Sequence, residues 1–309
     1  MGGARVPVLV GATAVGKTAT ALALAERLPI EVVSADSRQV YRRLDIGTAK
    51  PLPHERARVP HHGLDVVAPG ERYSAGRYAR EAEDWIAAVR ARGAVPVVVG
   101  GTGLYVRAIA EGLFAEPPLD AARRQALAAW LGGLDALELA RWAGRLDPGF
   151  RGGGRQRAAR AVEVALLTGR PLSAWQRLAA ARAVIRPMYV LLTLPRPVLH
   201  QRIERRAREM VRRGLIEEVA AVLSEGHPAG APGLDAVGVR EAVEYLHGTR
   251  SRESVAEAIT LATRQYAKRQ ETWFRRQLRG DVLVLDATAG AERLAAQIAE
   301  QCRRDLAAS

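Results

Sequence analysis

The 309-residue sequence contains a single cysteine, Cys302. One thiol cannot form an internal disulfide or supply a cysteine-based zinc site, and this agrees with a reducing compartment. No apolar run approaches the roughly 20 residues that a membrane helix needs, and the N-terminus has no hydrophobic signal segment. We therefore expect a cytoplasmic protein that does not associate with a membrane.

Acidic residues are scarce relative to basic ones: 33 Asp and Glu stand against 46 Lys and Arg, a net charge of +13. Such an excess predicts a polyanionic partner. The alternative is an arginine-rich genome composition that raises the charge without a function. Because the remaining composition is that of an ordinary globular protein, the placement of the arginines has to decide between the two.

A glycine-rich stretch joins a hydrophobic strand at residues 6–10 to a helix that begins near residue 17, the context of a phosphate-binding loop. Its glycines let backbone N–H groups point inward, and the helix N-terminus offers positive potential to an anion. Lys17 can reach terminal phosphates, and Thr18 can ligate Mg²⁺. These features predict a diphosphate or triphosphate ligand. The residues of this predicted site are Gly11, Ala12, Thr13, Ala14, Val15, Gly16, Lys17 and Thr18.

Two further strands end in polar segments. Asp36 follows a strand at residues 30–34 and should face the crevice where α/β sheets bind ligands. It is a candidate base or substrate anchor, and the alternative is a turn or helix cap. A buried strand at residues 96–99 runs into the segment 100–105, which lacks the Asp or Glu that holds the metal in a typical phosphate-loop NTPase.

Other polar residues have simpler interpretations. Residues 42–60 indicate an ordered loop. His61 and His62, with Asp65, could suggest a metal site, but adjacent side chains diverge and no third ligand has a usual spacing, so we expect them to pack a loop. Asp286, after a strand at 282–285, fits an edge strand and turn better than a late metal ligand.

Residues 116–186 contain alanine-rich and leucine-rich helical stretches and no convincing strand. They separate two halves of an α/β pattern, since a strand at residues 188–194 resumes the sheet. We therefore expect an α/β core of residues 1–115 and 187–309 with an inserted all-helical domain at 116–186.

Basic residues concentrate on three helices. One helix of the insertion begins with a basic face at residues 155–160. The helix after Pro195 carries Arg202, Arg205, Arg206, Arg208, Arg212 and Arg213, which either cover phosphates or form a solvated face.

The third basic helix spans residues 254–278. We expect Ser254 and Glu257 to cap its N-terminus. Arg264, Lys268 and Arg275 share one face of it, beside aromatic residues, an arrangement typical of a nucleic-acid surface.

A complete phosphate loop without a metal-holding acid after the third main strand disfavours a motor ATPase. Two classes of enzyme remain open on these residues alone. One is a small-molecule kinase, in which Asp36 positions an acceptor hydroxyl and arginines neutralise the phosphoryl group. The other uses the loop to hold a diphosphate that leaves during alkyl transfer to a nucleic acid.

A longer set of collinear segments carries a resemblance to a known family. The segments are 11–18, 34–37, 39–41, 45–51, 60–62, 73–74, 100–105, 156–157, 160–164, 263–270 and 272–273. Together they resemble the bacterial tRNA dimethylallyltransferase family over nearly the whole chain. Two departures stand out: Gly152–Gly153–Gly154 replaces a polar turn, and Gly238 is followed by Val239 instead of a tyrosine.

The resemblance implies a P-loop NTPase-like parallel sheet flanked by helices. The implied reaction transfers the dimethylallyl group of dimethylallyl diphosphate to the exocyclic N6 amine of the adenosine 3′ of the tRNA anticodon, with Mg²⁺. In the implied roles, Asp36 takes the proton of the amine, Thr102 orients the amine or the diphosphate, and Lys17 stabilises the leaving group.

The resemblance also implies a tRNA-binding surface that contacts the anticodon stem-loop, and we expect the protein to act as a monomer. Whether a nucleotide such as ATP also occupies the loop stays open, as does the kinase alternative. The implied tRNA-binding residues are Asp36, Ser37, Arg38, Gln39, Thr102, Gln156, Arg157, Ala158, Ala159, Arg160, Arg264 and Lys268.

Overall fold

The computed structural model of the protein describes residues 5–113, 120–178 and 183–307. The strands of its sheet are β1 (Val6–Gly11), β2 (Ile30–Ser34), β3 (His61–His62), β4 (Val95–Gly100), β5 (Pro187–Thr193) and β6 (Val282–Asp286). They lie in the order β3-β2-β4-β1-β5-β6, and all neighbours run parallel. The predicted parallel α/β sheet is therefore confirmed. The end of β1 falls at the switch in strand order, where open α/β sheets bind ligands.

Helices connect and flank the strands. In chain order they are α1 (Lys17–Ala25), α2 (Pro53–Arg58), α3 (Ala75–Ala91), α4 (Gly103–Ala110), α5 (Ala121–Gly133), α6 (Ala136–Leu146), α7 (Arg155–Thr168), α8 (Leu172–Leu178), α9 (Arg196–Arg212), α10 (Leu215–Ser224), α11 (Val239–Leu246), α12 (Val255–Gln277) and α13 (Ala291–Ala307). None of these described helices combines the length and the apolar character that a membrane crossing needs. The described parts of Met1–Ala110 and Val184–Ser309 form one compact unit, and those of Glu111–Ala183 form a second.

The main core of the sheet unit lies between the strands and the helices α1, α9 and α13. Leu9 and Leu192 from the strands meet Leu24, Ile203 and Ile298 from the helices, and none of the five is more than 2% exposed. Full burial of such side chains contributes about 1.5–3 kcal/mol each. This packing holds α9 against the end of β1, and so it fixes the arginines of α9 relative to the phosphate loop.

The insertion unit is helical in its described residues and has its own small core. Asp135 begins α6 with a capping box: it accepts a hydrogen bond from the Glu138 N–H and donates its own N–H to the Glu138 carboxylate, both at 2.8 Å. The guanidinium of Arg155 donates to backbone carbonyls at the end of α5. The buried hydrophobic residues of this core are Leu131, Leu139, Ala143, Ala158, Ala161 and Val162.

The main strand boundaries agree with the sequence-based prediction to within one residue at either end. Ser74 caps the N-terminus of α3, since its hydroxyl oxygen accepts a hydrogen bond from Arg77 N at 3.1 Å. Residues 42–60, predicted as a loop, contain the six-residue helix α2, which begins at Pro53. Proline fits the first turn of a helix because the missing N–H has no partner there.

The predicted capping pair at the start of α12 is wrong. Ser254 has helical backbone angles, φ −84° and ψ −9°, and makes no side-chain cap. Its hydroxyl donates instead to the carbonyl of Ser251 at 2.9 Å, so it closes the preceding turn. The two serines stand three residues apart, and the sequence did not distinguish a capping hydroxyl from a turn-closing one.

Candidate active site

The loop after β1 has the backbone that its glycines predict. Gly11 has φ +145° and Gly16 has φ +114°, angles that glycine adopts without the strain of a Cβ. A Cβ on Gly11 would also lie 2.6 Å from the carbonyl oxygen of Leu192. Because α1 begins at Lys17, directly after the loop, its free N–H groups add positive potential where a phosphate would bind.

Lys17 lies inside this loop. Its Nζ donates to the carbonyl oxygens of Gly11 at 2.9 Å and Ala12 at 2.8 Å. Burial lowers the pKa of Lys17 to about 8; the negative charge of Asp36 opposes this shift, and the positive charge of Arg206 adds to it. An anion in the loop would favour the ammonium form, so binding of a phosphate and protonation of Lys17 support each other.

Neighbouring strand ends bring Asp36 and Thr102 together. The Thr102 N–H donates to the Ala35 carbonyl at 3.1 Å, and the Thr102 hydroxyl oxygen accepts a hydrogen bond from Ser37 N at 2.9 Å. A Cβ on Gly100 would lie 2.1 Å from the Ala35 oxygen, so this close approach requires glycine. The carboxylate and the hydroxyl are therefore held at adjacent ends of β2 and β4.

Asp36 has a local and a longer-range effect. Its Oδ1 accepts a hydrogen bond from Arg38 N at 2.9 Å, so the turn-capping alternative holds for one oxygen. Burial and then the charge of Asp36 raise the pKa of Tyr266 to about 12, and the nearby Thr102 side chain opposes this shift. The carboxylate thus lies within electrostatic reach of the phosphate loop, α9 and α12.

A cavity of about 290 Å³ opens beside Asp36 and Thr13. Both polar and apolar side chains of α9 and α12 line it as well. A volume of this size is close to the lower end for small-molecule sites. Representative lining residues are Thr13, Asp36, Arg206, Met210, Ile259 and Tyr266.

The basic helix α9 presents two faces with different contacts. Arg202 Nη1 donates to the carbonyl of Val15 in the phosphate loop at 3.1 Å. Arg206, one turn later, lines the cavity; burial lowers its pKa, and the charge of Asp36 opposes that shift. Arg208 and Arg212 are exposed and pair with glutamates of their own helix. One face of α9 therefore borders the phosphate loop and the cavity, and the other is solvated.

Gln270 received no role from the sequence, and the structure places it at the centre of the site. It is 5% exposed; its Oε1 accepts a hydrogen bond from Thr13 N, and its Nε2 donates to the Gly101 carbonyl, both at 2.8 Å. Trp273 packs on Gly103, where a Cβ would lie 2.3 Å from the indole. Both residues belong to the segments that carry the resemblance, and that was the only signal for them.

The segment after Asp36 is held by contacts within the fold. Arg38 donates from Nη1 to the first carbonyl of the 3₁₀ turn Pro232–Asp235 at 3.0 Å and lines the cavity. Gln39 accepts a hydrogen bond from the Ser34 hydroxyl at 3.0 Å and donates to the Ala49 carbonyl at 3.2 Å. Arg38 thus borders the cavity, whereas Gln39 ties together two parts of the chain.

The predicted basic face of α12 is only partly at the surface. Arg264 Nη2 lies 3.5 Å from the Glu204 carboxylate of α9, and the Arg264 side chain is 37% exposed. Lys268 and Arg275 are exposed. One member of the face therefore contacts α9, and the others are available at the surface.

In the insertion unit, the predicted RNA-binding residues occupy the start of α7. Gln156 and Arg157 are exposed, Ala158 is buried and Ala159 is half-buried. Arg160 forms an ion pair with a glutamate one turn further along the same helix. The surface at this helix start is thus polar and basic, and Ala158 supports it from within the core.

The remaining polar candidates have partners in the fold. His62 Nε2 lies 2.7 Å from the Glu31 carboxylate, and Asp65 accepts a hydrogen bond from Lys50 Nζ at 2.6 Å. His61 contacts a backbone carbonyl. In the described part of the chain no group of His, Cys, Asp and Glu side chains is arranged to hold a metal.

The two departures from the family pattern lie in different surroundings, one at the surface and one in the core. Gly152 and Gly153 form an exposed turn, with φ +81° and +143°. Val239 is fully buried, and a Cβ on Gly47 would lie 2.5 Å from it. Val239 therefore belongs to the core, whereas its neighbours Val237 and Arg240 line the cavity.

Fold and site together define an α/β protein of the phosphate-loop class whose loop faces a carboxylate across a small cavity. Models of two families match the chain: IPP transferase over residues 39–277 and isopentenyl transferase over residues 4–60. The chain belongs to the tRNA dimethylallyltransferase family, and the resemblance seen in the sequence is confirmed.

Individual relatives agree with this assignment. The chain is 45% identical to the tRNA dimethylallyltransferase of Halorhodospira halophila over 297 residues, which cover 94% of each chain. It is 46% identical to that of Thermus thermophilus over 284 residues, covering 91% of this chain and 92% of the relative.

Two solved structures extend the comparison to the fold. The tRNA isopentenylpyrophosphate transferase of Bacillus halodurans is 33% identical, with a TM-score of 0.71 and 98% coverage of both chains. A eukaryotic dimethylallyltransferase solved while acting on tRNA has a TM-score of 0.82 and 26% identity, over 99% of this chain and 80% of the other.

Proposed function

We propose that the protein transfers the dimethylallyl group of dimethylallyl diphosphate to the N6 amine of the adenosine 3′ of the anticodon in tRNA, and releases diphosphate. A new C–N bond forms to the allylic carbon as its C–O bond to diphosphate breaks. The N6 amine loses one proton. The kinase alternative has no support from the family relationship.

The phosphate side of the site would stabilise the leaving group. Negative charge grows on diphosphate as the C–O bond breaks, and Lys17, Arg206 and the N–H groups at the start of α1 are already positioned around the loop. Because these groups are held by burial and backbone contacts, little reorganisation is needed during reaction. An allylic cation is partly stabilised by itself, so leaving-group stabilisation and alignment are the main tasks.

The acceptor side would aim the amine. Asp36 follows β2 and lines the cavity together with Thr13 of the phosphate loop, and its carboxylate would accept the proton of N6. The Thr102 hydroxyl, bonded to Ser37, would orient the amine or the diphosphate. An unpaired anticodon-loop base has to leave its stack to enter this cavity, which costs a few kcal/mol.

A divalent metal fits the phosphate side. Thr18 follows Lys17 in the first turn of α1 and can supply a hydroxyl ligand, whereas the segment after β4 supplies no carboxylate. Mg²⁺ usually keeps several waters and takes further ligands from substrate phosphates, so one protein hydroxyl is a sufficient contribution. When bound, Mg²⁺ would neutralise part of the diphosphate charge.

The tRNA would be held by basic surfaces outside the cavity. The exposed start of α7, with Gln156 and Arg157, and the α12 face with Arg264 and Lys268 are suited to contact phosphates of the anticodon stem-loop. We expect the protein to act as a monomer. We expect the enzyme to act in the cytoplasm.

The observation that carries the proposal is the cavity that Asp36 lines together with Thr13 of the phosphate loop. The test is transfer of radiolabel from dimethylallyl diphosphate to an anticodon stem-loop with A next to the anticodon. Label should appear on this RNA and be lost when that A is replaced by G. Absence of label, with γ-phosphate transfer from ATP to a nucleoside or small alcohol, would instead establish a kinase.

A further inference from the structure

Gln270 connects the two sides of the site through a single buried amide. Its two hydrogen bonds join the phosphate loop, at Thr13 N, to the end of β4, at the Gly101 carbonyl. We infer that Gln270 is a positioning residue that sets the separation between the diphosphate loop and the groups that orient the acceptor. The inference rests on the proposed function and adds a residue to its machinery.

The contact between Gln270 and the Gly101 backbone leaves no room for a side chain at position 101. A Cβ on Gly101 would lie 2.2 Å from Gln270 Nε2, so glycine is needed for the amide to reach the carbonyl. Trp273 fills the space over Gly103 one turn later in the same helix. The end of β4 is therefore packed directly against α12, and the amide geometry leaves little freedom for the Thr13 N–H.

The link continues from Gly101 to the acceptor side. Thr102 is the next residue, and its hydroxyl oxygen accepts the Ser37 N–H at 2.9 Å beside Asp36. Tyr266, one turn before Gln270 on α12, lines the cavity together with Asp36. Gln270 thus joins the ends of β1 and β4, and the contact between Thr102 and Ser37 joins the end of β4 to that of β2.

Alignment at this point has a direct effect on rate. The attacking nitrogen and the breaking C–O bond have to be in line, and a misplacement of about 1 Å can cost on the order of 100-fold in rate. Loss of Gln270 would leave both Lys17 and Asp36 in place but free the two sides to shift relative to each other. We therefore expect the chemical step to fall while binding of each partner is kept.

The test uses a graded series at position 270. Gln270→Met keeps the size of the side chain and removes both hydrogen bonds, and Gln270→Glu keeps the acceptor for Thr13 N but loses the donor to Gly101. The control is Thr260→Val, because Thr260 is similarly buried in α12 and its hydroxyl bonds only to its own helix, at the Ala256 carbonyl. Thermal unfolding of all variants is measured in parallel.

With saturating substrates, the single-turnover rate of Gln270→Met should fall about 100-fold. Its dissociation constants for inorganic diphosphate and for the stem-loop should stay within about threefold of the parent, as expected for a loss confined to the transition state. Thr260→Val should keep a rate within about twofold at the same temperature, as expected for a site without contact to the reacting groups.

Gln270→Glu supplies a second readout, the dependence of the rate on pH, which should not change if Gln270 only stabilises the fold. A protonated glutamic acid regains a donor for the Gly101 carbonyl, whereas the carboxylate does not. The rate of this variant relative to the parent should therefore rise as the pH is lowered from about 8 to about 6.

Two outcomes would overturn the inference about Gln270 and leave the proposed function intact. One is a parent enzyme that prenylates RNA while Gln270→Met loses no more rate than Thr260→Val. The other is a rate loss matched in full by weaker diphosphate binding, which would make Gln270 only a part of the phosphate site. An inactive parent protein would overturn the proposed function and this inference together.

Discussion

The cavity and the surfaces proposed to bind RNA hold their positive charges in different ways. Around the phosphate loop, Lys17 is bonded to backbone carbonyls, and Arg206 is set against the cavity near Asp36. On the proposed RNA surfaces, Arg157 and Lys268 are exposed to solvent. Desolvated charges act strongly over short distances, while exposed charges are screened and act additively. On the proposed function, we expect the buried charges to govern the reaction and the exposed charges to govern the encounter with RNA.

The largest effect should come from Asp36. Asp36→Asn keeps the shape of the side chain and an oxygen for the Arg38 N–H but removes the base, so we expect the single-turnover rate to fall about 100-fold or more. Binding of dimethylallyl diphosphate and tRNA should be nearly unchanged. Asp235→Asn, at an exposed acid of the same cavity, is the matched control. A normal rate in Asp36→Asn would remove Asp36 from catalysis.

The next largest effect is expected on diphosphate binding, when two consecutive arginines of α9 are replaced in turn. Arg206→Met removes a charged group next to the phosphate site, and the dissociation constant of inorganic diphosphate should rise about 10- to 100-fold, as expected for loss of a charged hydrogen bond. Arg205→Met removes the same charge from an exposed position and should change that constant by less than about twofold. Calorimetric titration measures both. Equal effects would mean that net charge, not placement, binds the anion.

A smaller effect is expected on the RNA surface. Replacing Arg264 and Lys268 by alanine should weaken stem-loop binding and reduce the slope of log affinity against log salt by about 1 to 2, since each phosphate contact contributes about 0.7 to 0.9. The control is the double variant Arg293→Ala and Arg303→Ala. It removes the same amount of charge from two exposed positions on α13. A slope that changes equally in both double variants would place the α12 face outside the RNA contact.

The smallest effect is a pH dependence at Lys17. Since burial lowers its pKa to about 8, raising the pH through 8 neutralises the free ammonium, and diphosphate affinity should fall. We expect a decrease of about tenfold per pH unit at most above that value. Lys17→Arg stays charged and supplies the reference for the ligand's own ionisation. Parallel pH profiles for the two proteins would show that Lys17 does not titrate in this range.

Local sequence patterns predicted the parts of the fold that depend on neighbouring residues. Glycines at the turns of the phosphate loop and apolar runs of strand length each specify a conformation within a few residues. The short helix α2 and the start of α12 were assigned wrongly, because turns, caps and single helical turns use the same polar residues and differ by little energy.

The sequence by itself determined the phosphate loop, the strands that surround it and the family of the chain, because these depend on local spacing and on motifs. Only the tertiary structure decided which arginines of α9 face the loop, that Val239 is buried, and which groups Gln270 contacts. The contacts of Gln270 join residues 257 and 169 positions apart in the chain. Such pairings depend on how strands and helices pack, and no periodicity in one segment can specify a partner in another.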